Sequence, residues 1–307
     1  MTAVNTARRL YRNHLKGTRF GEAMMAAWLR FQRSDWVIRF KLSRWGSLSR
    51  STVRARYVYQ YFAPRLKWGM QWIISSNEIT NFTYDITRLN RIYLAHTLAL
   101  VTGKTNDEIL AYIAELDGDD ELKRVIVGQM RSHAQRYFSD ERILYGRRIG
   151  WYAAVRALKP KVVVETGVDK GLGSAVICAA LRRNAGEGHE GRYFGTDLQP
   201  AAGFLLGPPY SAFGEILRGD SIESLRNLPF EIDLFINDSD HSAAYEAAEY
   251  QTIKQKLSPQ AVILGDNAHV TDELAKFAAD TRRCFLYFKE EPAKFWEPGA
   301  GIGIAFR

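Results

Sequence analysis

Cysteine is nearly absent from this 307-residue chain: there are two, Cys178 and Cys284. No CxxC pair and no Cys/His run with metal spacing occurs, which excludes a structural zinc site and a disulfide scaffold. Both lie in apolar runs, VICAAL and RRCFLYF, and are expected to be buried thiols in a reducing compartment. Long apolar runs are lacking too. MMAAWL (24–29) is shorter than a secretory core, and the stretch 92–101 is interrupted by His96, short of the roughly 20 residues a membrane span requires. A cytoplasmic protein is the expectation. Acid is scarce at one end. Residues 1–72 hold fifteen Lys and Arg against Glu22 and Asp35, so this segment is +13 and the remainder −5, within a total of +8. The charge therefore belongs to an appendage and not to the carboxyl-terminal half.

With 46% apolar and 25% charged residues the chain has globular composition, without low complexity or internal repeats. Three stretches are expected. Residues 1–72 mix arginine with Trp, Tyr and Phe and predict short amphipathic helices. Residues 73–157 form a helical pre-domain, after a loop at 73–84. Here Thr105 and Glu108 fit a capping box, a helix fits 121–138, and Ser139 caps a helix running to Leu158. From 158 to 307 the texture changes to apolar strands alternating with helices: KVVVET, GRYFGTD, EILRGD, IDLFIND, AVILGD, CFLYF and GIGIAF. Runs without two-residue alternation suit strands buried on both faces. The predicted architecture is α/β: a Rossmann-like, doubly wound, mainly parallel sheet with an antiparallel last strand, preceded by a helical N-terminal region.

Chemistry-bearing residues recur where those strands end. Glu165, Gly167 and Gly171 make an acid and a glycine turn between the first strand and its helix. The spacing is not GxGxxG, and an acid there repels a pyrophosphate but suits a ligand carrying ammonium and sulfonium groups. Asp197 ends the second strand, where a carboxylate can accept ribose hydroxyls. Asp220 and Ser221 end the third, placed to meet an adenine. Asp238, with His241 three residues on, ends the fourth, and Asp266-Asn267 ends the fifth. Two carboxylates and an amide oxygen at adjacent strand ends suit Mg²⁺ or a similar divalent ion. Any one of these acids could instead be a helix cap.

On these motifs the stretch 158–307 resembles class I S-adenosylmethionine (SAM)-dependent methyltransferases, and most of all the metal-dependent O-methyltransferases of the catechol/caffeoyl-CoA and macrolide-sugar types. The resemblance matches Glu165, Gly167 and Gly171 to the first motif, Asp238 and His241 to the strand-four motif and Asp266-Asn267 to the strand-five pair. It implies SAM bound by Glu165, Gly167, Gly171, Asp197, Asp220 and Ser221. It also implies a divalent metal, Mg²⁺ by preference, on Asp238, Asp266 and Asn267, with His241 as catalytic base. The catechol type carries Lys at the last position, so histidine points towards sugar or natural-product hydroxyls. Metal-independent O- or N-methylation, and a SAM-binding module docked to membrane or glycan machinery, stay open as alternatives. Gly207-Pro208-Pro209-Tyr210 imitates the motif of amino-methylating DNA enzymes but falls before strand four, where that motif does not belong. For residues 1–72 a folded cap or contact with an anionic surface, peripheral to a membrane, is expected ahead of nucleic acid. A homo-oligomer is compatible with everything above.

Overall fold

The computed structural model describes residues 11, 15–79 and 83–307. The start of the basic segment (1–10 and 12–14) and residues 80–82 of the expected loop lie outside them. Contacts divide the chain into a unit ending at Pro64 and a unit from Arg65 to Arg307. This differs from the expected boundaries at 72 and 157.

In the first unit, helices α1 (Arg19–Gln32), α2 (Asp35–Leu42) and α3 (Arg44–Ser75) follow one another, α3 continuing into the second unit. Thr18 caps α1 by accepting from the Gly21 amide at 3.0 Å. The expectation of short helices fails for α3, which runs 32 residues and takes in 73–75 of the predicted loop.

The second unit opens with α4 (Arg88–Thr102), α5 (Asn106–Asp117), α6 (Asp120–Ser132) and α7 (Arg148–Leu158). Thr105 and Glu108 form the predicted capping box of α5. The helix expected from Ser139 begins only at Arg148, and 139–147 is irregular. Then come β1 (Val162–Thr166), α8 (Leu172–Gly186), β2 (Arg192–Asp197), β3 (Gly214–Arg218), α9 (Ser221–Asn227), β4 (Ile232–Asn237), α10 (Ala243–Ile253), β5 (Leu257–Asp266), α11 (Glu273–Asp280), β6 (Cys284–Lys289) and β7 (Gly301–Phe306). The sheet order is β3-β2-β1-β4-β5-β7-β6. β1 to β5 pair in parallel, and β7 runs antiparallel between β5 and β6. This is the predicted Rossmann-like, doubly wound arrangement.

Alternate residues of each central strand serve opposite faces. Val163 joins a core with Leu94, Ile113, Trp151 and Ile304, while Val164 joins another with Phe235, Tyr250 and Phe277. The helices at 88–158 thus share one core with the sheet and do not form a separate domain. Cys178 is buried as expected, but Cys284 is exposed. It lies on β6, an edge strand whose side chains are mostly exposed.

Candidate active site

Parallel strands end together, so their carboxyl ends gather in space residues that are far apart in sequence. A cavity of about 510 Å³ opens there, within the usual range for small-molecule sites. Gly167, Asp197, Asp220, Ser221 and Asp238 line it, as do Arg148, Gln199 and Tyr245, which the sequence reading did not single out.

Gly167 has φ +81°, and a β-carbon there would stand 1.9 Å from the carbonyl oxygen of Asp238, so only glycine fits. Its amide donates to the Thr196 carbonyl oxygen at 2.9 Å, joining the turn to β2. Asp197 accepts from the amides of Asp169 (2.8 Å) and Gln199 (2.7 Å), one on each carboxylate oxygen. A carboxylate has about four acceptor positions, so capacity remains for a diol. Asp220 caps α9 by accepting from the Glu223 amide at 3.0 Å and also accepts from the Tyr245 hydroxyl at 2.8 Å. These bonds favour its charged form and lower its pKa. The bare backbone at Gly167 and the two acids fit a nucleoside cofactor such as SAM.

Five of the predicted residues are not part of the cavity wall: His241, Asp266 and Asn267, which lie beside Asp238, and Glu165 and Gly171. Glu165 is buried and accepts from the hydroxyls of Tyr193 and, at 3.4 Å, Ser174. Burial pushes its pKa up to about 7 against these bonds. Its acid thus turns into the core and braces the turn from behind. Gly171 has φ +93°, and a β-carbon there would meet Gly203 at 2.7 Å. It accommodates the loop 199–213, whose Gly203 and Leu205 amides donate to the carbonyls of Asp169 and Lys170. None of Gly207, Pro208, Pro209 and Tyr210 lines the cavity.

Asp238, His241 and Asp266 come together, with one ligand atom from each within 4.8 Å of the others. Two carboxylates and an imidazole form a donor set that fits a divalent ion. Asn267, at φ +50°, directs its amide nitrogen to His241 Nε2 at 2.9 Å. His241 directly precedes Ser242, the N-cap of α10. Its Nε2 lies 3.7 Å from Asp238 Oδ1, and its Nδ1 lies 3.5 Å from Glu246 Oε1.

Arg147 was hidden by the misplaced helix start. Its guanidinium grips both oxygens of Asp266 and reaches Glu290 at 3.2 Å and the Tyr84 hydroxyl at 2.7 Å. Burial opposes the charge on Asp266, but the guanidinium outweighs it and lowers that pKa. Asp238 is held well above the carboxylate range, first by burial and then by Asp266. Like charges this close do not both ionise unaided. The sequence signal was the pair Arg147-Arg148 directly after Gly146, a residue that commonly interrupts a helix. Two acids of α10 were missed as well. Glu246 flanks His241, and Glu249 is buried, accepting from Ser239 (2.8 Å), Thr166 (3.3 Å), Asn237 and Ser221. Their signal was the pattern EAAE, which puts two acids one turn apart on a helix.

Residues 164–268 match the family model described as a methyltransferase domain, which covers about a third of the chain. Curated protein sequences gave no match. Among solved structures, the chain is similar to a putative O-methyltransferase from Klebsiella pneumoniae (TM-score 0.46, 15% identity, covering 62% of this chain and 90% of that one). It is also similar to the methyltransferase PaMTH1 of Podospora anserina bound to SAH, the demethylated product of SAM (0.45, 17%, 66% and 94%). A third is the O-methyltransferase TomG of Streptomyces achromogenes, involved in tomaymycin synthesis and solved with SAM (0.43, 14%, 61% and 90%). The matched segment runs from within β1 to just past the end of β5 and takes in the glycine turn and the strand-end acids, so residues 164–268 of this chain carry a methyltransferase domain.

Proposed function

We propose that the enzyme transfers the methyl group of SAM to a hydroxyl oxygen on a small molecule or sugar, with His241 as the base. The observation that carries this reading is the placement of His241. It follows directly on Asp238, Ser239 and Asp240 of the cavity wall, with Asn267 at Nε2 and Glu246 nearest Nδ1. Nε2 can take the hydroxyl proton once an acceptor displaces the Asn267 amide, and the Glu246 carboxylate offsets the imidazolium charge. Gly167, Asp197, Asp220 and Ser221 hold the cofactor, Asp197 through its remaining acceptor positions. Much of the acceleration comes from alignment of the two reactants.

A divalent ion such as Mg²⁺ would be held by the clustered carboxylates of Asp238 and Asp266, with the Asn267 side-chain oxygen taking the third place because His241 serves as the base, and would supply positive charge that favours the deprotonated hydroxyl. A second reading is favoured by Arg147. Because its guanidinium already offsets Asp266, transfer to oxygen or nitrogen can proceed without an ion, with His241 alone as base.

Methyl transfer from labelled SAM to pools of hydroxylated metabolites tests the reading. Turnover should fall about 10²–10⁴-fold in His241→Ala while SAM affinity persists. A fully active variant removes histidine as the base. Loss of activity in EDTA with recovery on Mg²⁺ selects the metal-assisted form, and full activity in EDTA selects the second reading. Calorimetry should show SAM binding weakened by about 1–3 kcal/mol in Asp197→Ala. Wild-type protein that binds SAM but turns over no acceptor would reduce the chain to a binding module.

A further inference from the structure

The first unit presents its rings outward. Trp28, Phe31, Trp36 and Phe40 form a ladder across α1 and α2, with successive centroids 6.1, 6.5 and 6.2 Å apart. All four are exposed, Trp36 at 69%, and Leu42 beyond them is 78% exposed. Val37 is the one buried apolar side chain among the described residues up to Pro64. Side chains of this size are left in water at a cost of about 1.5–3 kcal/mol each relative to burial, so a contiguous exposed set marks a contact surface.

Charge selects the occupant. Between residues 16 and 64, ten Lys and Arg stand against Glu22 and Asp35, so eight positive charges have no counterpart within the segment. Arg30, Arg33, Arg39, Lys41 and Arg44 flank the ladder itself. A second copy of the chain would bring a patch of the same sign against this one. Nucleic acid answers the charge and stacks on rings, but offers nothing apolar to Leu42, Met24 or Ile38. A membrane of anionic lipid answers both, with headgroups for the basic residues and acyl chains for the apolar ones. Trp and Tyr favour that boundary, and the long basic side chains can lie along it with their heads in water. No helix of the described residues is long and apolar enough to cross a membrane, so the contact lies in the plane of the surface.

We infer that α1 and α2 form a docking surface for anionic lipid bilayers, with the Trp28–Phe31–Trp36–Phe40 ladder entering the interface. The inference rests on nothing assumed about methyl transfer. Sedimentation of the full chain with vesicles of phosphatidylcholine, alone or mixed with phosphatidylglycerol, tests it. Binding should be at least about tenfold tighter on the mixed vesicles and should weaken as salt rises, since exposed charges are screened over about 8 Å at physiological ionic strength. Arg39→Glu/Lys41→Glu should weaken it by about fivefold or more per residue. Trp28→Ala/Trp36→Ala/Phe40→Ala should weaken it at least about tenfold, while sedimentation velocity without lipid stays that of wild type. These side chains are exposed, so circular dichroism should confirm that both variants keep their helices. Equal binding to the two vesicle types, or a triple variant that binds as wild type does, overturns the inference. A lipid-free dimer that the triple variant dissociates also overturns it and assigns the ladder to a second copy. Tighter binding to a polynucleotide than to mixed vesicles at equal phosphate does the same in favour of nucleic acid.

Discussion

Trp36 and Trp151 are the same residue put to opposite use. Trp36 stands 69% exposed in a unit whose described residues include a single buried apolar side chain, whereas Trp151 is fully buried against the helices and sheet of the second unit. The two regions also treat charge differently. In the first, arginines outnumber acids and face water. In the second, Arg156 is buried and Arg147 largely so only because carboxylates meet them: Glu115 and Glu187 for Arg156, Asp266 and Glu290 for Arg147. Aromatic content does not decide burial. A sheet that neighbours can cover on both faces, and acids in step with the bases, do.

The sharpest way to break this comparison is to truncate each tryptophan. Trp151→Ala should cost about 3–5 kcal/mol in denaturant unfolding, because a large cavity opens where its ring meets Gly173 and Leu94's helix cannot collapse far enough to fill it. A cost below about 1 kcal/mol would mean that the core is not packed as described. A smaller effect sharpens the comparison through pH. A glutamic acid normally ionises near 4.5, but burial raises Glu165 to about 7. Between those values the folded chain holds a proton that the unfolded chain has lost. The stabilisation this gives is fully present below about pH 4.5 and is lost as pH rises through about 7, amounting to about 3 kcal/mol at most. Glu165→Gln should abolish that loss, so its stability relative to wild type should rise from about pH 5 to about pH 8 in urea melts. A pH-independent difference would place the proton elsewhere. Smallest of all, Trp36→Ala should leave unfolding within about 0.5 kcal/mol of wild type. A larger loss would show the ladder to be part of a core.

The central strands were legible because KVVVET, IDLFIND and AVILGD are apolar throughout, as strands covered on both faces must be. The same rule misled at the sheet's edges. CFLYF reads the same way, yet Cys284 on β6 is exposed, because a run of residues does not say whether both faces of its strand are covered. Within the site, Asp197, Asp220, Asp238 and Asp266 were legible as strand ends, and the parallel topology alone brings them together. What lay hidden comes from helices. Arg147 precedes α7, and Glu246 and Glu249 belong to α10, where a solvent-facing acid and one turned inward look alike in sequence. Glu165 was identified correctly as a strand-end acid and assigned the wrong direction. Alternation along β1 decides that, and a five-residue strand with buried neighbours on both faces gives no sign of which face is the ligand's.

The carbonyl of Asp238 occupies the space that a side chain at position 167 would take, and the Asp238 amide donates to the carbonyl of Thr166 at 2.9 Å. The Gly167 turn and the turn leading to His241 are therefore two sides of one joint. A methyl group added at 167 would not simply obstruct a ligand; it would push the next strand's end aside and carry the histidine with it. Under the proposed function, cofactor seating and base alignment then cannot be tuned separately.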